Sequence, residues 1–431
     1  MILDEIIFFE QYLFSFRRDF TNLNVYQARF QLQNKQKLQS LKSQIQNKQK
    51  VRVCFYIIKD NIFPFKTLFE TMQNDSIFEP FIVVIPELML GENMFYQMDK
   101  AYQWLSKQYD KVFKSYDEET QSFLDFSDKM DILATSYPYE GGSHQFYSIK
   151  YAISKQILPI FTSYGMGGTS WSRDYIFTIP ALNLCWKIFV DTRYQFDEYL
   201  SQPLKNIESI HLTGYAKMDE LAKFSPKNQR KTIILAPHHT ISECYNSHLQ
   251  LSNFFKYADF FLELYAKYPN IDFVFRPHPL LFVALADEKI SKNLFWGKEK
   301  INDYLRKTCS FPNVKYQEGG EYLETFANSS GIVHDCGSFM TEYLYTNNPC
   351  CFMLKGNEID KNNFSELGFE ALKHYYHAFS EADIISFIDS VIIKGDDVKK
   401  SARVKFAKEK VMINYPNASQ KILDILKEEL L

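Results

Sequence analysis

The sequence predicts an α/β protein with two parallel-sheet domains, and three observations carry that prediction. The chain has 431 residues, more than one hydrophobic core usually serves, and divides naturally into two units of about 150–200 residues. From residue 51 onward, short apolar runs alternate with amphipathic segments of helical period, as in parallel sheets covered by helices. A polar, turn-rich stretch at 222–231 interrupts this alternation, so we expect the linker there.

Composition limits the classes of function. Lys and Arg number 49 against 52 Asp and Glu, for a formal charge of −3, so no basic field indicates a nucleic-acid partner. The seven cysteines include no C-x-x-C pair, which predicts reduced thiols. No apolar run reaches the ~18 residues of a membrane span. The sequence therefore predicts a cytoplasmic protein and leaves open a peripheral contact with the inner face of the cytoplasmic membrane.

Residues 1–50 are expected to form a separate helical extension. Within 24–50, apolar residues recur at spacings of three and four, namely Leu38, Leu41 and Ile45. This spacing predicts a helix that packs on the main body or on a second copy of the chain. Upstream, 2–16 could also anchor the chain at a membrane surface, because apolar side chains share one face there: Ile6, Phe9, Leu13 and Phe16.

The N-terminal domain is expected over residues 51–222. The run VRVCFYIIKD at 51–60 is typical of a buried strand, and a helix near 65–73 and a second strand at 78–86 follow it. This opening is typical of a Rossmann-like domain, but no G-x-G-x-x-G follows the first strand, so a bound dinucleotide is not indicated. A helix is predicted for 97–121. Further strands are predicted within 130–139, 157–162 and 181–200, the last followed by a helix.

The C-terminal domain is expected over residues 232–395. Its apolar runs predict strands that begin near 232, 273, 332 and 351, and 255–270 predicts an amphipathic helix between the first two. The last segment, 399–431, is predicted to be helical and is long enough to return to the N-terminal domain.

A strand, a small-residue turn and a helix start follow one another in 332–354, and together they predict an anion site. Backbone N–H groups at the start of the helix point at the turn, and a glycine there lets a ligand approach closely. A glutamate one helical turn later would face the same ligand and accept hydrogen bonds from a ribose. The residues expected to bind the nucleotide and its phosphates are Asp335, Gly337, Ser338, Phe339 and Glu342. The structural alternative is an ordinary capped helix with Ser338 as its cap.

Two further predicted strands end in histidines. FVFRPHPLL ends abruptly at Arg276 and His278, each followed by a proline, and TIILAPHHT ends at His238 and His239. The carboxyl ends of parallel strands are where open α/β sheets bind ligands, and Arg and His both suit phosphate. We expect His278, Arg276 and His239 to take part in catalysis on a shared diphosphate. His238 would contact phosphate, with a structural role as the alternative. Adjacent histidine side chains are expected to diverge, so no metal site is predicted.

Four motifs in order resemble those of the CDP-glycerol glycerophosphotransferases, a family of teichoic acid and capsule synthesis. They are HLTGYAKMDEL at 211–221, APHHT at 236–240, FRPHP at 275–279, and D-x-G-S-x-x-x-E with a following Asn-Pro at 335–349. The resemblance spans roughly residues 50–380. It implies the GT-B fold, in which two Rossmann-like domains face a central cleft. The N-terminal domain would bind the acceptor and the C-terminal domain the nucleotide donor.

The chain departs from this family where the acceptor would bind. The family carries a Trp-His-Gly motif whose histidine is thought to act as the base, whereas this chain has Ser163, Tyr164 and Gly165 at that place. A tyrosine is a poor base at neutral pH, because its ordinary pKa is roughly 10. Tyr164 and Gly165 are therefore expected to bind the acceptor. His144, in the preceding loop, is a candidate for the missing base, and an ordinary loop histidine is the alternative.

Together these features predict a transferase of surface polysaccharide synthesis that moves glycerol phosphate from CDP-glycerol to a glycan or lipid-linked glycan. A glycosyltransferase that uses a UDP-, GDP- or CMP-linked sugar is the first alternative, and a non-catalytic capsule-assembly protein is the second. No cofactor is expected, and the lack of an Asp-x-Asp predicts metal-independent catalysis. No nucleic-acid partner is expected, and homo-oligomerisation through 1–50 is left open.

Overall fold

The computed structural model describes residues 20–60, 62–91, 93–202, 207–227, 230–241, 249–356 and 358–431. The apolar face expected within 2–16 lies outside these ranges. Across the ranges given, no helix is both long and apolar enough to cross a membrane.

The N-terminal half of the chain folds around a sheet of seven parallel strands. Strand bounds are β1 (Val51–Ile57), β2 (Phe78–Val84), β3 (Val112–Lys114), β4 (Tyr116–Asp117), β5 (Ser122–Phe123), β6 (Ile132–Thr135), β7 (Leu158–Thr162), β8 (Lys187–Val190) and β9 (Ile210–Leu212). The sheet has the order β3–β2–β1–β6–β7–β8–β9, and β4 and β5 form a separate antiparallel hairpin. Its helices are α1 (Phe20–Gln46), α2 (Lys66–Gln73), α3 (Asn93–Ser106), α4 (Ile149–Ser154) and α5 (Arg193–Ser201).

The helix predicted for 97–121 is wrong in its second half. α3 ends at Ser106, and β3 then joins the sheet edge beside β2, with Val112 opposite Ile82. The carboxylate of Asp117 accepts the N–H of Glu119 at 2.9 Å and shapes the turn between β4 and β5. Pairing with β2 outweighs the helix propensity of the Lys and Glu residues in this stretch.

A second parallel sheet organises the C-terminal half. Its strands are β10 (Thr232–Ala236), β11 (Asp272–Phe275), β12 (Val314–Tyr316), β13 (Gly331–His334), β14 (Cys350–Met353) and β15 (Tyr376–Ala378), in the order β12–β11–β10–β13–β14–β15. The helices are α6 (Phe254–Lys267), α7 (Leu281–Ala286), α8 (Glu288–Ser291), α9 (Gly297–Cys309), α10 (Leu323–Asn328), α11 (Phe339–Glu342), α12 (Glu366–Lys373), α13 (Glu381–Ser386), α14 (Lys400–Phe406) and α15 (Ala418–Leu430). Two separate parallel sheets confirm the predicted α/β class.

Helices from both ends of the described chain pack on the first sheet. Leu41 of α1 is fully buried in the same core as Leu426 of α15, which confirms that the extension packs on the main body. α15 begins where the carboxylate of Asp219 accepts the N–H groups of Ala418 (3.1 Å) and Ser419 (2.7 Å). The chain therefore returns to the N-terminal domain, as predicted, and the 211–221 motif supplies the cap that holds it there.

The two domains contact each other through the loop after β7. Ser365 donates from Oγ to the carbonyl of Gly167 at 2.5 Å and from its N–H to the carbonyl of Gly168 at 3.3 Å. A Cβ on Gly368 would lie 1.8 Å from the oxygen of Gly168, so only glycine permits this approach. We call this contact the glycine end of the cleft. The histidine end is where the residues after β1 and β2 face those after β10 and β11.

Candidate functional site

Three histidines, which we call the histidine cluster, meet at the carboxyl ends of β10 and β11. These strands pair in parallel with Leu235 opposite Phe275, so the residues that follow them emerge at one edge. The ring centroids of His238 and His239 are 4.3 Å apart, and His239 stacks on His278 at 4.0 Å. The structure thus brings together the histidines assigned to one diphosphate site. The expectation that the adjacent rings diverge is wrong, because both pack against His278.

Hydrogen bonds determine where the protons of the histidine cluster lie. The N–H of Leu280 donates to Nδ1 of His278 at 3.1 Å, so the neutral ring carries its proton on Nε2. Nδ1 of His238 likewise accepts the N–H of Thr240 at 3.4 Å and lies 2.9 Å from its hydroxyl. Burial and then neighbouring charges lower the pKa of His238 and His278 well below the ordinary value, and burial lowers the pKa of His239 to about 4. At neutral pH the cluster is uncharged and offers Nε2–H donors.

These donors fit an anion better than a metal ion. One ligand nitrogen from each ring of the cluster lies within 4.8 Å of the others, which is close enough to consider ligation. A metal bound at Nε2 requires that nitrogen to be free of its proton, which then sits on Nδ1. Leu280 prevents this for His278, because its N–H already points at Nδ1. Metal-independent catalysis stays a prediction, and the arrangement suits phosphate oxygens.

Arg276 supports the loop beside the cluster. Its side chain is buried, with Nη1 donating to Gln317 at 3.1 Å and Nη2 to the carbonyl of Gly320 at 2.5 Å. The guanidinium also lies 5.2 Å from the ring centroid of Tyr322. Both terminal nitrogens are therefore engaged within the protein. Direct contact between Arg276 and a diphosphate stays a prediction. In the structure, Arg276 holds the 317–322 loop.

The carboxylate of Asp335 holds the backbone next to the histidine cluster in place. The side chain is fully buried, and its oxygens accept the N–H groups of His238 and Asn253, both at 2.6 Å, and the side-chain amide of Asn253 at 3.1 Å. It thereby joins the ends of β13 and β10 to the start of α6. A buried, fully bonded carboxylate cannot bind phosphate, so that expectation for Asp335 is wrong. Burial raises its pKa to about 6, although these hydrogen bonds oppose the shift.

The turn after β13 faces the N-terminal domain. A Cβ on Gly337 would lie 2.5 Å from Cγ2 of Thr169, so this glycine serves the approach of the other domain. Phe339 is buried with its ring 4.9 Å from that of Tyr322, and a contact of its backbone with phosphate stays a prediction. Ser338 makes no capping hydrogen bond, which also contradicts the alternative of a serine-capped helix. Among residues 335–339 only Ser338 is partly exposed, and its contact with the ligand stays a prediction.

Glu342 lies enclosed between the two domains. Its side chain is 1% exposed, and the hydroxyl of Tyr322 donates to its carboxylate. Nζ of Lys217 donates in turn to the Tyr322 hydroxyl at 2.7 Å, so a hydrogen-bonded series crosses from one domain to the other. Burial raises the pKa of Glu342, and Lys217 opposes the shift. The contact with ribose stays a prediction, now for a carboxylate that already has a tyrosine partner.

The predicted acceptor residues lie in two different environments. The hydroxyl of Tyr164 is 3.0 Å from that of Tyr139, and a Cβ added to Gly165 would lie 3.9 Å from the Cβ of Ser338. His144 instead stacks on Phe123 with centroids 4.6 Å apart, and its Nδ1 accepts the N–H of residue 146 at 3.5 Å. Its ring therefore packs and caps a 3₁₀ turn, which favours the alternative of an ordinary loop histidine.

Two charged residues at the edge of the first sheet belong to no motif, Lys59 and Glu87. Nζ of Lys59 is 2.6 Å from a carboxylate oxygen of Glu87. Burial, then the charges of His239 and Lys59, lower the pKa of His278. Lys59 is therefore close enough to act on His278, and it lies on the opposite side of the cleft. Lys59 follows β1 and Glu87 follows β2, each within three residues of the end of the strand. A charged residue at the carboxyl end of a buried parallel strand is a signal that sequence analysis could have used to find both.

Comparisons with known proteins bear on the fold. No family model and no curated protein matches the chain. A UDP-N-acetylglucosamine 2-epimerase superposes with a TM-score of 0.57 at 13% identity, covering 88% of this chain and 95% of its own. The UDP-GlcNAc 2-epimerase from Neisseria meningitidis, bound to UDP-GlcNAc, gives 0.55 at 16% identity, with 88% and 100% covered. The wall teichoic acid polymerase TagF gives 0.52 at 14%, with 94% and 98% covered. At these identities the likeness shows the fold, and the chain has the GT-B arrangement of two Rossmann-like domains.

Proposed function

We propose that the chain is a GT-B transferase that moves glycerol phosphate from CDP-glycerol to a glycan acceptor in surface polysaccharide assembly. The observation that carries this proposal is the histidine cluster, which presents uncharged imidazoles at the edge of the C-terminal sheet, with the protons of His238 and His278 on Nε2. Such donors suit the diphosphate of an activated nucleotide. The resemblance of APHHT and FRPHP to the glycerophosphotransferases supports the choice of donor. A neighbour of the same fold is a wall teichoic acid polymerase.

The cluster would act on the leaving group. The acceptor oxygen attacks the phosphorus that carries glycerol, and the bond from that phosphorus to the CMP oxygen breaks. Negative charge develops on CMP, to which Nε2–H of His278, with His239 stacked against it, can donate a hydrogen bond. Asp335 contributes by fixing the loop from which His238 projects, and Arg276 ties the loop of His278 to the 317–322 loop.

Identification of the released nucleotide tests this proposal. Purified protein is incubated with glycan acceptors and with CDP-glycerol, or separately with UDP-, GDP- and CMP-linked sugars. We expect CMP from CDP-glycerol, with glycerol phosphate appearing on the acceptor. Turnover of a nucleotide sugar with none of CDP-glycerol would contradict the proposal. A failure of every nucleotide to bind, seen as no thermal shift, would favour the non-catalytic assembly protein.

A sugar transferase is the second candidate, and a specific observation favours it. Ser163, Tyr164 and Gly165 replace the Trp-His-Gly motif, so the acceptor side differs most from the glycerophosphotransferases. One neighbour of the same fold is bound to UDP-GlcNAc. In this case the bond between the sugar carbon and the diphosphate breaks, and UDP or GDP is released in the same assay.

The variant His278→Ala tests the role of the cluster. Removal of one donor to a developing negative charge lowers turnover by roughly 100- to 1000-fold in comparable sites. His377→Ala is the matched control, because His377 lies on the edge strand β15 at the far side of the sheet. Equal turnover in both variants would remove the cluster from the reaction.

A further inference from the structure

The N-terminal edge of the cleft holds a carboxylate, Glu87, whose ion-pair partner Lys59 lies across from the histidine cluster. Glu87 lies just before a 3₁₀ helix (Leu88–Leu90) that follows β2. Nζ of Lys59 is 2.6 Å from its Oε2, but the two groups are not aligned for a hydrogen bond. Among the described residues neither oxygen of Glu87 receives a hydrogen bond, and Oε2 is shielded from water. Lys59 pairs with Oε2, whereas Oε1 receives no hydrogen bond from the described residues and can accept one from a ligand hydroxyl.

Three tyrosines lie beside this carboxylate. The rings of Tyr137 and Tyr139 are 5.1 Å apart, and the hydroxyls of Tyr139 and Tyr164 are 3.0 Å apart. Leu88, the residue after Glu87, donates its N–H to the carbonyl of Gly142 at 2.9 Å, and a Cβ on Gly142 would lie 2.0 Å from the Tyr137 hydroxyl. Glu87 therefore lies close to Tyr137, whose pKa is raised by burial and then by the charge of Glu87. The hydroxyl of Tyr137 is buried and has no partner within the described chain. Aromatic rings suit the apolar face of a sugar ring, and the hydroxyl of Tyr137 without a partner suits its polar rim.

The other candidate bases considered on this edge are hydrogen-bonded, stacked or fully buried. Glu140 accepts the N–H groups of Ile149 at 2.8 Å and Lys150 at 3.4 Å, at the start of α4. His144 is stacked and uses its Nδ1 as a cap. Asp191, after β8, is fully buried and therefore out of reach of an acceptor hydroxyl, and burial raises its pKa well above the ordinary value. Among the described residues, Glu87 is the carboxylate that lies beside the three tyrosines and has an oxygen available to a ligand.

We propose that Glu87 takes the proton from the acceptor hydroxyl and that Tyr137, Tyr139 and Tyr164 bind the sugar that carries this hydroxyl. The inference rests on the proposed transferase function. As the acceptor oxygen forms its bond to the donor phosphorus, its proton passes to an oxygen of Glu87. The electron pair of the broken bond leaves with CMP on the opposite side of the cleft, beside the histidine cluster. Lys59 holds Glu87 at the edge that faces this cluster.

The isosteric variant Glu87→Gln tests this base directly. We expect kcat to fall by roughly 100-fold or more, since general bases contribute about that much. The thermal shift given by CDP-glycerol should match that of the parent, and the fall of kcat/KM on the acid side of the pH profile should disappear. Glu79→Gln is the matched control, because Glu79 lies on β2, the strand before Glu87, but pairs with the exposed Lys111 at 2.5 Å. Tyr137→Phe should raise the KM for the acceptor severalfold with little change in kcat.

A second variant guards against a fold defect in the first. Glu87→Ala should regain activity when formate is added, because a small carboxylate can occupy the vacated place. Turnover of Glu87→Gln within roughly threefold of the parent, or an unchanged acid side of its pH profile, would overturn the inference while leaving the transferase in place. A parent protein that turns over no donor would refute the transferase proposal, and this inference with it.

Discussion

The two ends of the cleft are built from different groups. At the glycine end, backbone packs directly on backbone, and a Cβ on Gly368 or Gly337 would clash with the N-terminal domain. At the histidine end, charged and polar side chains face one another instead: the histidine cluster on one edge, and Lys59 with Glu87 on the other. One end therefore fixes how the domains meet, and the other keeps its hydrogen-bonding groups for a ligand.

The largest effect is expected from Gly368→Ala at the glycine end. Its Cβ would lie 1.8 Å from a backbone oxygen, which cannot move as a side-chain tip can, so we expect about 3 kcal/mol or more of lost stability. Chemical denaturation measures the change. Gly141→Ala is the control, because nothing lies within 4 Å of its added Cβ. Equal stability of both variants would mean that this close contact is absent in solution.

A somewhat smaller loss is expected from Asp335→Ala at the histidine end. The change leaves the N–H groups of His238 and Asn253 buried without an acceptor, at a cost of about 2–3 kcal/mol. Asp335→Asn retains an acceptor oxygen and should lose less. The free energies of unfolding of both variants decide the matter. An Asp335→Ala protein as stable as the parent would contradict the bracing role and reopen a role in ligand binding.

The smallest effect depends on pH and concerns His239. Its pKa is lowered to about 4 by burial, whereas in the unfolded chain it is about 6.5. The unfolded chain therefore binds more protons between these values, so the contribution of the neutral ring is complete above pH ~6.5 and is lost as the pH falls towards 4. Relative to His239→Asn, the parent should lose about 2 kcal/mol between pH ~6.5 and pH ~4.5. Parallel stability curves would show that His239 is not buried as described.

The sequence predicts the fold better than the site because strand–helix alternation is a local signal. The runs at 51–60, 78–86 and 232–240 all become strands close to the predicted places. The failure at 97–121 has a tertiary cause, since β3 forms only through pairing with β2. Local helix propensity carries no information about such a neighbour.

Sequence analysis predicts which side chains meet when those side chains come directly after parallel strands. His238, His239 and His278 meet as expected because parallel strands end at one edge. Asp335 lies equally close to that edge, but its partners come from α6 and β10, which the sequence does not place beside it. Glu87 is the opposite case: it belongs to no sequence motif, and only its neighbours in the structure, Lys59 and the tyrosines, indicate a role.

Titration of CDP-glycerol and of cytidine into the parent, His278→Ala and His377→Ala tests the central claim, that the histidine cluster binds the diphosphate. Loss of a hydrogen bond to a charged group costs about 1.5–3 kcal/mol, so His278→Ala should bind CDP-glycerol roughly 10- to 100-fold more weakly. Its affinity for cytidine, which has no phosphate, should not change, and His377→Ala should match the parent for both ligands. Equal affinity of all three proteins for CDP-glycerol would contradict the account.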